Sequence, residues 1–384
     1  MYPHVEHGIG RSRRATGLLA TVTVALVLLA ANPAWATLPN APDAGTYGVN
    51  GRVYALVRLG NIVYVGGMFT AAIAPNGTTV PRNYLAAIDT TTGVLTSWNP
   101  APNGPVYALA TDGSQLFVGG AFTSISGLPR LALAVYASNL TLQSWQFDVT
   151  GTLNPYVKGL ALSGSTLYVG GNFRQVGGVA RKRLAAINLS VSPPQLLPWK
   201  PTADKAVRAV APLSNGDVVV GGAFLNLNGV PNAYIGEIRP DGSVAPWLVH
   251  PAVQVWSVIP SASGGAVFVG SGDPPPGGSV RSYAPGGTVL WTTPTDGGVQ
   301  TLTWDAHDGQ VIVGGHFRYV AGVKVPRLCA VNPTTGALDT GWIPTPNSTK
   351  GLWALSASSD KLYVGGDFTA IGGQTFNRFA QFSI

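Results

Sequence analysis

Apolar runs that end in Val-Gly recur seven times along this chain of 384 residues. Six of them continue as Val-Gly-Gly-x-Phe, and they lie at 65–69, 118–122, 169–173, 220–224, 313–317 and 364–368. The seventh, at 269–272, has Val-Gly-Ser-Gly and lacks the phenylalanine. Successive valines are 53, 51, 51, 49, 44 and 51 residues apart. A nearly constant period of this length indicates a protein built from repeated structural units.

Each repeat predicts four short β-strands, as the second unit illustrates. Apolar segments at 106–110, 116–122 and 131–136 are separated by a turn at 112–114 and by a loop that contains glycine and proline. A fourth strand is expected near Trp145. Four strands in about 50 residues, without helical periodicity, are typical of a propeller blade. We therefore predict an all-β fold, namely a seven-bladed β-propeller with four-stranded blades.

The tryptophans and the chain ends extend this prediction. A large ring stands near the fourth strand of six units, as Trp98, Trp145, Trp199, Trp247, Trp291 and Trp342. Such a ring suits packing between neighbouring blades. The last unit stops after its third strand, and the segment 45–51 aligns with the tryptophan-strand tail of the other units. We predict that this N-terminal segment supplies the fourth strand of the last blade and closes the ring, which protects the blade edges.

The repeat also resembles known families. The segments V-x-A-L, L-Y-V-G-G-x-F and W-x-P are similar to those of exported bacterial propellers of the delta-sixty repeat group, which is kelch-like and has no assigned chemistry. The resemblance covers residues 53–384 and implies a β-propeller fold. Its motifs are structural, so they identify no catalytic residue.

The first 36 residues predict a signal peptide. Three arginines precede an apolar stretch at 18–31, and Ala34-Trp35-Ala36 is a small-x-small cleavage site. The stretch is shorter than the roughly 20 residues of a membrane-spanning helix, so we expect no membrane span. Cleavage after Ala36 would leave a single propeller domain at 37–384, and we expect a secreted or periplasmic location.

Charge limits the choice of partner. Removing the predicted signal lowers the formal charge from +7 to +5, and only 10% of the residues are charged. No cluster of lysine and arginine with interleaved aromatic residues appears, so we expect no nucleic-acid partner. A small positive charge favours a carbohydrate, an acidic glycan or a cell-envelope polymer, and another protein is the alternative partner. We expect a monomer.

Three candidate binding residues follow from the repeat itself. Asn172, His316 and Asp367 occupy the x of Val-Gly-Gly-x-Phe in the third, sixth and seventh units. Equivalent positions of adjacent blades lie at the same radius, so His316 and Asp367 are expected to be neighbours. They could form a proton-transfer pair or two metal ligands, or they could simply be a hydrogen-bonded contact between blades.

The loops between the second and third strands supply the other candidates. The third unit has Arg174, Arg181 and Lys182 there, and the sixth has Arg318 and Tyr319. Propeller loops on one face often form a binding surface because a rigid scaffold presents them. An ordinary solvated loop is the alternative interpretation.

These observations favour an exported binding or interaction module whose ligand meets the loop face or the central channel. The alternative is a propeller enzyme acting on polysaccharide, a hydrolase or lyase, with a site near His316 and Asp367. We assign no catalytic residue, no metal ligand and no cofactor, because no nucleophile elbow or phosphate-binding loop is present.

Overall fold

In the computed structural model, residue 1 and residues 38–272 and 277–384 are described. The predicted signal peptide and its cleavage site lie outside these residues, apart from Met1. The described residues contain β-strands and turns without an α-helix, and hence no helix that is long and apolar enough to cross a membrane. The all-β prediction is confirmed.

Each of the seven Val-Gly units has a core of three antiparallel strands, called here the first, second and third strands. The first strands are Arg52–Leu59, Val106–Thr111, Tyr156–Ser163, Val207–Pro212, Val255–Pro260, Val299–Asp305 and Leu352–Ala357. The second strands are Ile62–Met68, Leu116–Gly120, Thr166–Asn172, Val218–Gly222, Val267–Ser271, Gln310–Gly315 and Lys361–Gly366. The third strands are Leu85–Asp89, Leu133–Tyr136, Leu184–Asn188, Ile235–Ile238, Gly278–Tyr283, Leu328–Val331 and Phe379–Ser383.

A fourth strand forms in units three, four and five, where it spans Gln195–Leu196, Val244–Ala245 and Val289–Thr295. In units one, two and six this segment makes a single bridge to the third strand, at Leu95, Leu142 and Leu338. The tryptophan that follows this segment packs between units. Trp98, for example, lies edge-on to Tyr64 of its own unit and to Tyr136 of the next, at 5.5 and 5.1 Å between ring centres.

Two-stranded hairpins connect the second and third strands in six units. Their strands are Ala71–Ile73 with Thr79–Pro81, Ser124–Ile125 with Leu128–Pro129, Gln175–Val176 with Val179–Ala180, Asn226–Leu227 with Val230–Pro231, Tyr319–Val320 with Val323–Lys324, and Ala370–Ile371 with Gln374–Thr375. Two short strands, Gly48–Val49 and Val149–Thr150, pair with the hairpins that open at Ala71 and Gln175.

The Val-Gly-Gly step is explained by two close backbone approaches. A Cβ atom on Gly119, the first glycine of unit two, would lie 2.6 Å from the Val157 side chain of unit three. A Cβ atom on Gly120, the second glycine, would collide with the carbonyl oxygen of Pro105, the residue before the first strand of the same unit. Distances this short do not occur between real side chains, so glycine is required for sheets that pack this closely.

The first glycines of units one, three, four, five and seven approach the unit that follows in the same way. Gly365 of unit seven approaches Val53 of unit one in this way. A Cβ atom on Gly314 of unit six would lie 2.8 Å from Thr301 of its own unit and 3.2 Å from Leu355 of unit seven. The buried apolar residues divide accordingly into clusters that each join two consecutive units. One of these clusters contains Val53 and Leu56 together with Tyr363 and Phe379, so the last unit packs against the first. Within the described residues no sheet closes on itself.

The closing strand predicted at 45–51 is not confirmed, because Gly48–Val49 within it pairs with Ala71–Ile73 of unit one. It is Asp43, before that segment, that contacts the third strand of unit seven. The Asp43 amide donates a hydrogen bond to the Gln381 carbonyl at 2.7 Å, and the Asp43 carboxylate pairs with Lys361 and accepts from the Ser383 amide. In unit one, the Thr96 amide donates the equivalent hydrogen bond to the carbonyl oxygen of Ala87. Trp342 of unit six donates through its indole nitrogen to the Pro39 carbonyl at 3.0 Å.

The repeat phenylalanines are core residues, as the sequence predicts. All six have no more than 2% of their surface exposed.

We expect Phe122→Ala to lower the free energy of unfolding by about 3–5 kcal/mol, since it leaves a cavity in a packed cluster. Met68→Ala is the matched control, because Met68 lies in the same motif but is 56% exposed, and its effect should stay within about 0.5 kcal/mol. Urea denaturation measures both, and a Phe122→Ala change below about 1 kcal/mol contradicts the prediction.

Candidate functional site

A β-bulge occurs at the same position in the first strand of every unit. In unit one, Val53 pairs with Gly67 and Ala55 with Gly66, so Tyr54 is an extra residue without a strand partner. The register shifts at the equivalent point in the other six units. A bulge changes the direction of a side chain relative to its strand. Here it separates the residue after the opening valine or leucine from the packed interior.

The bulged residues of the seven units line one cavity of about 330 Å³. We call them the channel ring, and they are Tyr54, Tyr107, Lys158, Arg208, Trp256, Gln300 and Trp353. All except Gln300, together with Tyr156, also line a second cavity of about 290 Å³. The first cavity continues along the small residues that follow each bulge, such as Ala55 and Gly159. We call the second cavity the mouth and the first the channel interior, and six ring residues line both of them.

The aromatic members of the ring contact one another edge to face. Trp353 lies 5.8 Å from both Trp256 and Tyr54, and Tyr54 lies 5.4 Å from Tyr107, measured between ring centres. Tyr107 continues the series to Tyr156 at 5.9 Å. Edge-to-face contacts of this kind are favourable for aromatic pairs. Because each of these rings keeps part of its surface exposed, the channel ring presents aromatic carbon to the mouth.

Two cations lie close to one indole ring. The Arg208 guanidinium carbon is 3.7 Å from the centre of Trp256, and the Lys158 ammonium is 4.8 Å from it. Lys158 also lies 5.8 Å from the centre of Tyr107. Both contacts are in the range of cation–π attraction. Elsewhere in the channel ring, the Arg52 guanidinium carbon lies 5.3 Å from the ring centre of Trp353 and 5.7 Å from that of Tyr54.

The environment of Lys158 disfavours its charged form. Burial among the aromatic rings, and then the positive charge of Arg208, lower the pKa of Lys158 to about 8. Desolvation acts in this direction on any lysine, because the ammonium loses water that the rings replace only in part. A lysine with a strongly lowered pKa beside a cavity is a candidate functional group.

His316 contacts Trp353 directly, whereas Asp367 is connected to Trp353 only through Arg52. The His316 ring is edge-on to Trp353 at 5.1 Å, and its Nδ1 is 2.8 Å from Nε2 of Gln300. The Asp367 carboxylate forms ion pairs with Arg52 at 3.2 Å and with Arg378 at 3.5 Å. Asp367 thus anchors Arg52, which in turn lies over Trp353.

The third-unit candidates lie apart from one another. Asn172 donates through its side chain to the Asn154 carbonyl at 3.2 Å, and its strand partner is Tyr156. Arg174 and Lys182 are exposed on the hairpin. Arg181 is buried, and its guanidinium donates to the carbonyl oxygens of Ala180 and Leu197. Arg82 and Arg130 bind the equivalent carbonyls in units one and two, so this arginine belongs to the repeated framework.

Arg318 and Tyr319 line a separate cavity of about 310 Å³ on the hairpin of unit six. Their backbone amides both donate to the Asp296 carboxylate, at 2.6 and 2.8 Å, and their side chains are exposed. Among the described residues, no three His, Cys, Asp or Glu side chains come together as a group that could hold a metal ion.

None of the residues of the channel ring was predicted from the sequence, although the repeat contains a pattern that distinguishes them. The x of V-x-A-L changes from tyrosine to lysine, arginine, tryptophan or glutamine while the residues around it stay small or aliphatic. A strand of strict alternation would send that side chain toward one face of its sheet. Only the bulge directs all seven residues to a common cavity.

The lowered pKa of Lys158 predicts an effect on stability. The pKa of Lys158 is about 10.5 in the unfolded chain and about 8 in the folded chain. At neutral pH the charged lysine therefore lowers the free energy of unfolding. This loss of stability disappears as the pH rises from about 8 to 10.5. Lys158→Met should therefore raise stability at about pH 7 by roughly 1–2 kcal/mol, and the gain should shrink toward about pH 10.5. Exposed Lys182→Met is the control, with a change within about 0.5 kcal/mol. Denaturant unfolding at several pH values measures this, and a Lys158→Met gain that does not vary with pH contradicts it.

Comparisons with known proteins address the fold. A family model described as a domain of unknown function (DUF5122) β-propeller matches residues 307–341 and 357–383, in units six and seven. A comparison with curated proteins gives no match. Among solved structures, the computationally designed Ika8 protein is similar at 14% identity and a TM-score of 0.51, over 91% of this chain and all of that one.

A second similar structure is described as the extracellular domain of a putative one-component system from B. thetaiotaomicron. It is 15% identical with a TM-score of 0.49 over 90% of this chain, and this chain spans 40% of that chain's length. Identities this low bear on the fold alone. The family match and the repeated antiparallel sheets together identify a β-propeller domain.

Proposed function

We propose that this protein is an exported, seven-bladed propeller that binds a glycan at the mouth of its central channel. The observation that carries this proposal is the channel ring, in which seven equivalent positions face one cavity and four of them are tyrosine or tryptophan. Exposed aromatic faces pack against the C–H face of a sugar ring, and phenol and indole groups can hydrogen-bond its hydroxyls. A cavity with a few convergent polar groups is the usual form of a small-ligand site.

The channel mouth is favoured over the loop face by the density of its contacts. On the hairpins, the candidates Arg174, Lys182, Arg318 and Tyr319 are spread over two units and exposed to solvent. In the ring, six side chains from six units meet around a single volume. Asn172 and His316 lie at its edge, and Asp367 holds Arg52 in place there.

The seven-bladed, ring-closed form of the fold is part of this proposal. Its support is the packing of unit seven against unit one and the hydrogen bond from Asp43 to Gln381, which corresponds to that of a fourth segment in other units. Export is proposed from the signal-like segment at 1–36. We propose a monomer in solution.

The alternative function, a polysaccharide hydrolase or lyase using His316 and Asp367, has less support. Both Asp367 oxygens are engaged by guanidinium groups, and Gln300 is the hydrogen-bond partner of the His316 ring. A catalytic pair needs direct access to the reacting atoms. These contacts suit two residues that position the ring.

A glycan screen with two double variants tests the binding site. The chain 38–384 should bind at least one oligosaccharide, and Trp256→Ala with Trp353→Ala should weaken that binding by roughly tenfold or more, because removal of each aromatic ring costs about 1 kcal/mol. Arg318→Ala with Tyr319→Ala is the matched change on the loop face and should leave affinity within about twofold. Isothermal titration measures both. Weaker binding by the loop-face variant alone overturns the channel site, and turnover of a bound glycan favours the enzyme.

Removing the N-terminal segment tests ring closure. A chain that begins at residue 51 lacks the buried side chains Leu38 and Val49 and the Asp43 ion pair. It should be less stable than the chain 38–384 by roughly 3–6 kcal/mol, at about 1.5–3 kcal/mol for each buried aliphatic side chain. Lys361→Met, which removes this ion pair and the hydrogen bond from Lys361 to Ser383, should cost about 1 kcal/mol or less. Equal thermal midpoints for the two chains would count against closure.

A further inference from the structure

We propose that the glycan bound at the channel ring is an acidic one, and that the ammonium group of Lys158 receives its carboxylate. This inference rests on the function proposed above and specifies the class of ligand. A uronic-acid-containing oligosaccharide has both features that the ring would recognise, a sugar face for the aromatic residues and an anionic group for the cations.

The position of Lys158 supports this assignment. Its side chain starts in unit three and reaches across the first strand of unit four to Trp256 of unit five. It lines both cavities at the channel ring, the one of about 330 Å³ and the one of about 290 Å³. In the part of the chain that the structure describes, no carboxylate lies within ion-pair distance of its ammonium group. A ligand carboxylate could therefore bind it without displacing an ion pair among these residues.

Charge is distributed unevenly around the ring. Lys158 and Arg208 both lie over Trp256, and Lys158 also lies near Tyr107. The cation beside Trp353 and Tyr54 is Arg52, which is already paired with Asp367. A carboxylate beside Lys158 and Arg208 would reduce the repulsion between these two positive groups. Charge-assisted hydrogen bonds are strong where water is partly excluded. The same ligand would then extend its sugar rings over the aromatic residues of the channel ring.

The titration of Lys158 gives this binding a pH dependence. Arg208 is the charged group that acts on it, and Tyr107 and Tyr156 face it with pKa values that burial raises. His316 and Arg52 contact Trp353, and Asp367 is paired with Arg52. Lys158 is protonated below its pKa of about 8 and neutral above it. Affinity for a carboxylate should therefore be constant below about pH 7 and fall as the pH rises through 8.

The experiment pairs each acidic ligand with a neutral counterpart. Oligosaccharides of galacturonan, glucuronan and alginate, and the carboxyl-reduced form of each, are titrated into the chain 38–384 at about pH 7. We expect at least one acidic ligand to bind tenfold more tightly than its reduced form, which corresponds to about 1.4 kcal/mol. That preference should fall by at least tenfold between about pH 7 and pH 9.5.

Variants at Lys158 separate its charge from its shape. Lys158→Met should abolish the preference for the acidic ligand, whereas Lys158→Arg should retain it at about pH 9.5, because arginine stays charged there. Lys182→Met, on the exposed hairpin, should change nothing. The inference is overturned if acidic and reduced ligands bind equally, or if the preference survives Lys158→Met. Binding of neutral glycans alone overturns the inference and leaves the proposed function standing, whereas failure of every glycan removes both.

Discussion

The contact on which the rest of the structure depends is the approach of each unit's first glycine to the unit that follows. At Gly119 and Gly66 there is no room for even one methyl group, because a valine of the next unit fills that space. Close packing of this kind lets two sheets interlock along their first strands and buries the clusters between them. The same contact recurs between Gly365 and Val53, so it joins the last unit to the first as well as neighbours in sequence.

This contact also explains how a structural repeat can carry a variable site. Val157 must face Gly119, and Leu160 must pack in the same interface, so both residues of the third unit are committed to the interior. The bulge at Lys158 restores the register between them and releases one residue toward the channel. Because that residue has no partner in the sheet, its identity is free to vary without loss of packing. Framework and site therefore alternate within a single strand.

The framework could be predicted from the sequence because its causes are local and repeated. The buried phenylalanines, the glycine pairs and the inter-unit position of Trp98 all follow from residue types that recur at a constant spacing. The prediction was less accurate for the fourth strand, which in three units is reduced to a single bridge. The sequence did not distinguish buried arginines from exposed ones. Arg181 and Arg174 look alike in the sequence, yet one is buried against backbone carbonyls and the other is exposed.

The sequence by itself determined the number and length of the repeats, the β class of the fold and the residues that pack between units, since each depends on periodicity. Only the tertiary structure decided which variable residues meet. Tyr54 and Trp353 are 299 residues apart in the chain but 5.8 Å apart at their ring centres. Lys158 and Trp256 come together across an intervening unit. The direction of a bulged side chain and the radius of the channel are properties of the assembled sheets, and no spacing within one repeat records them.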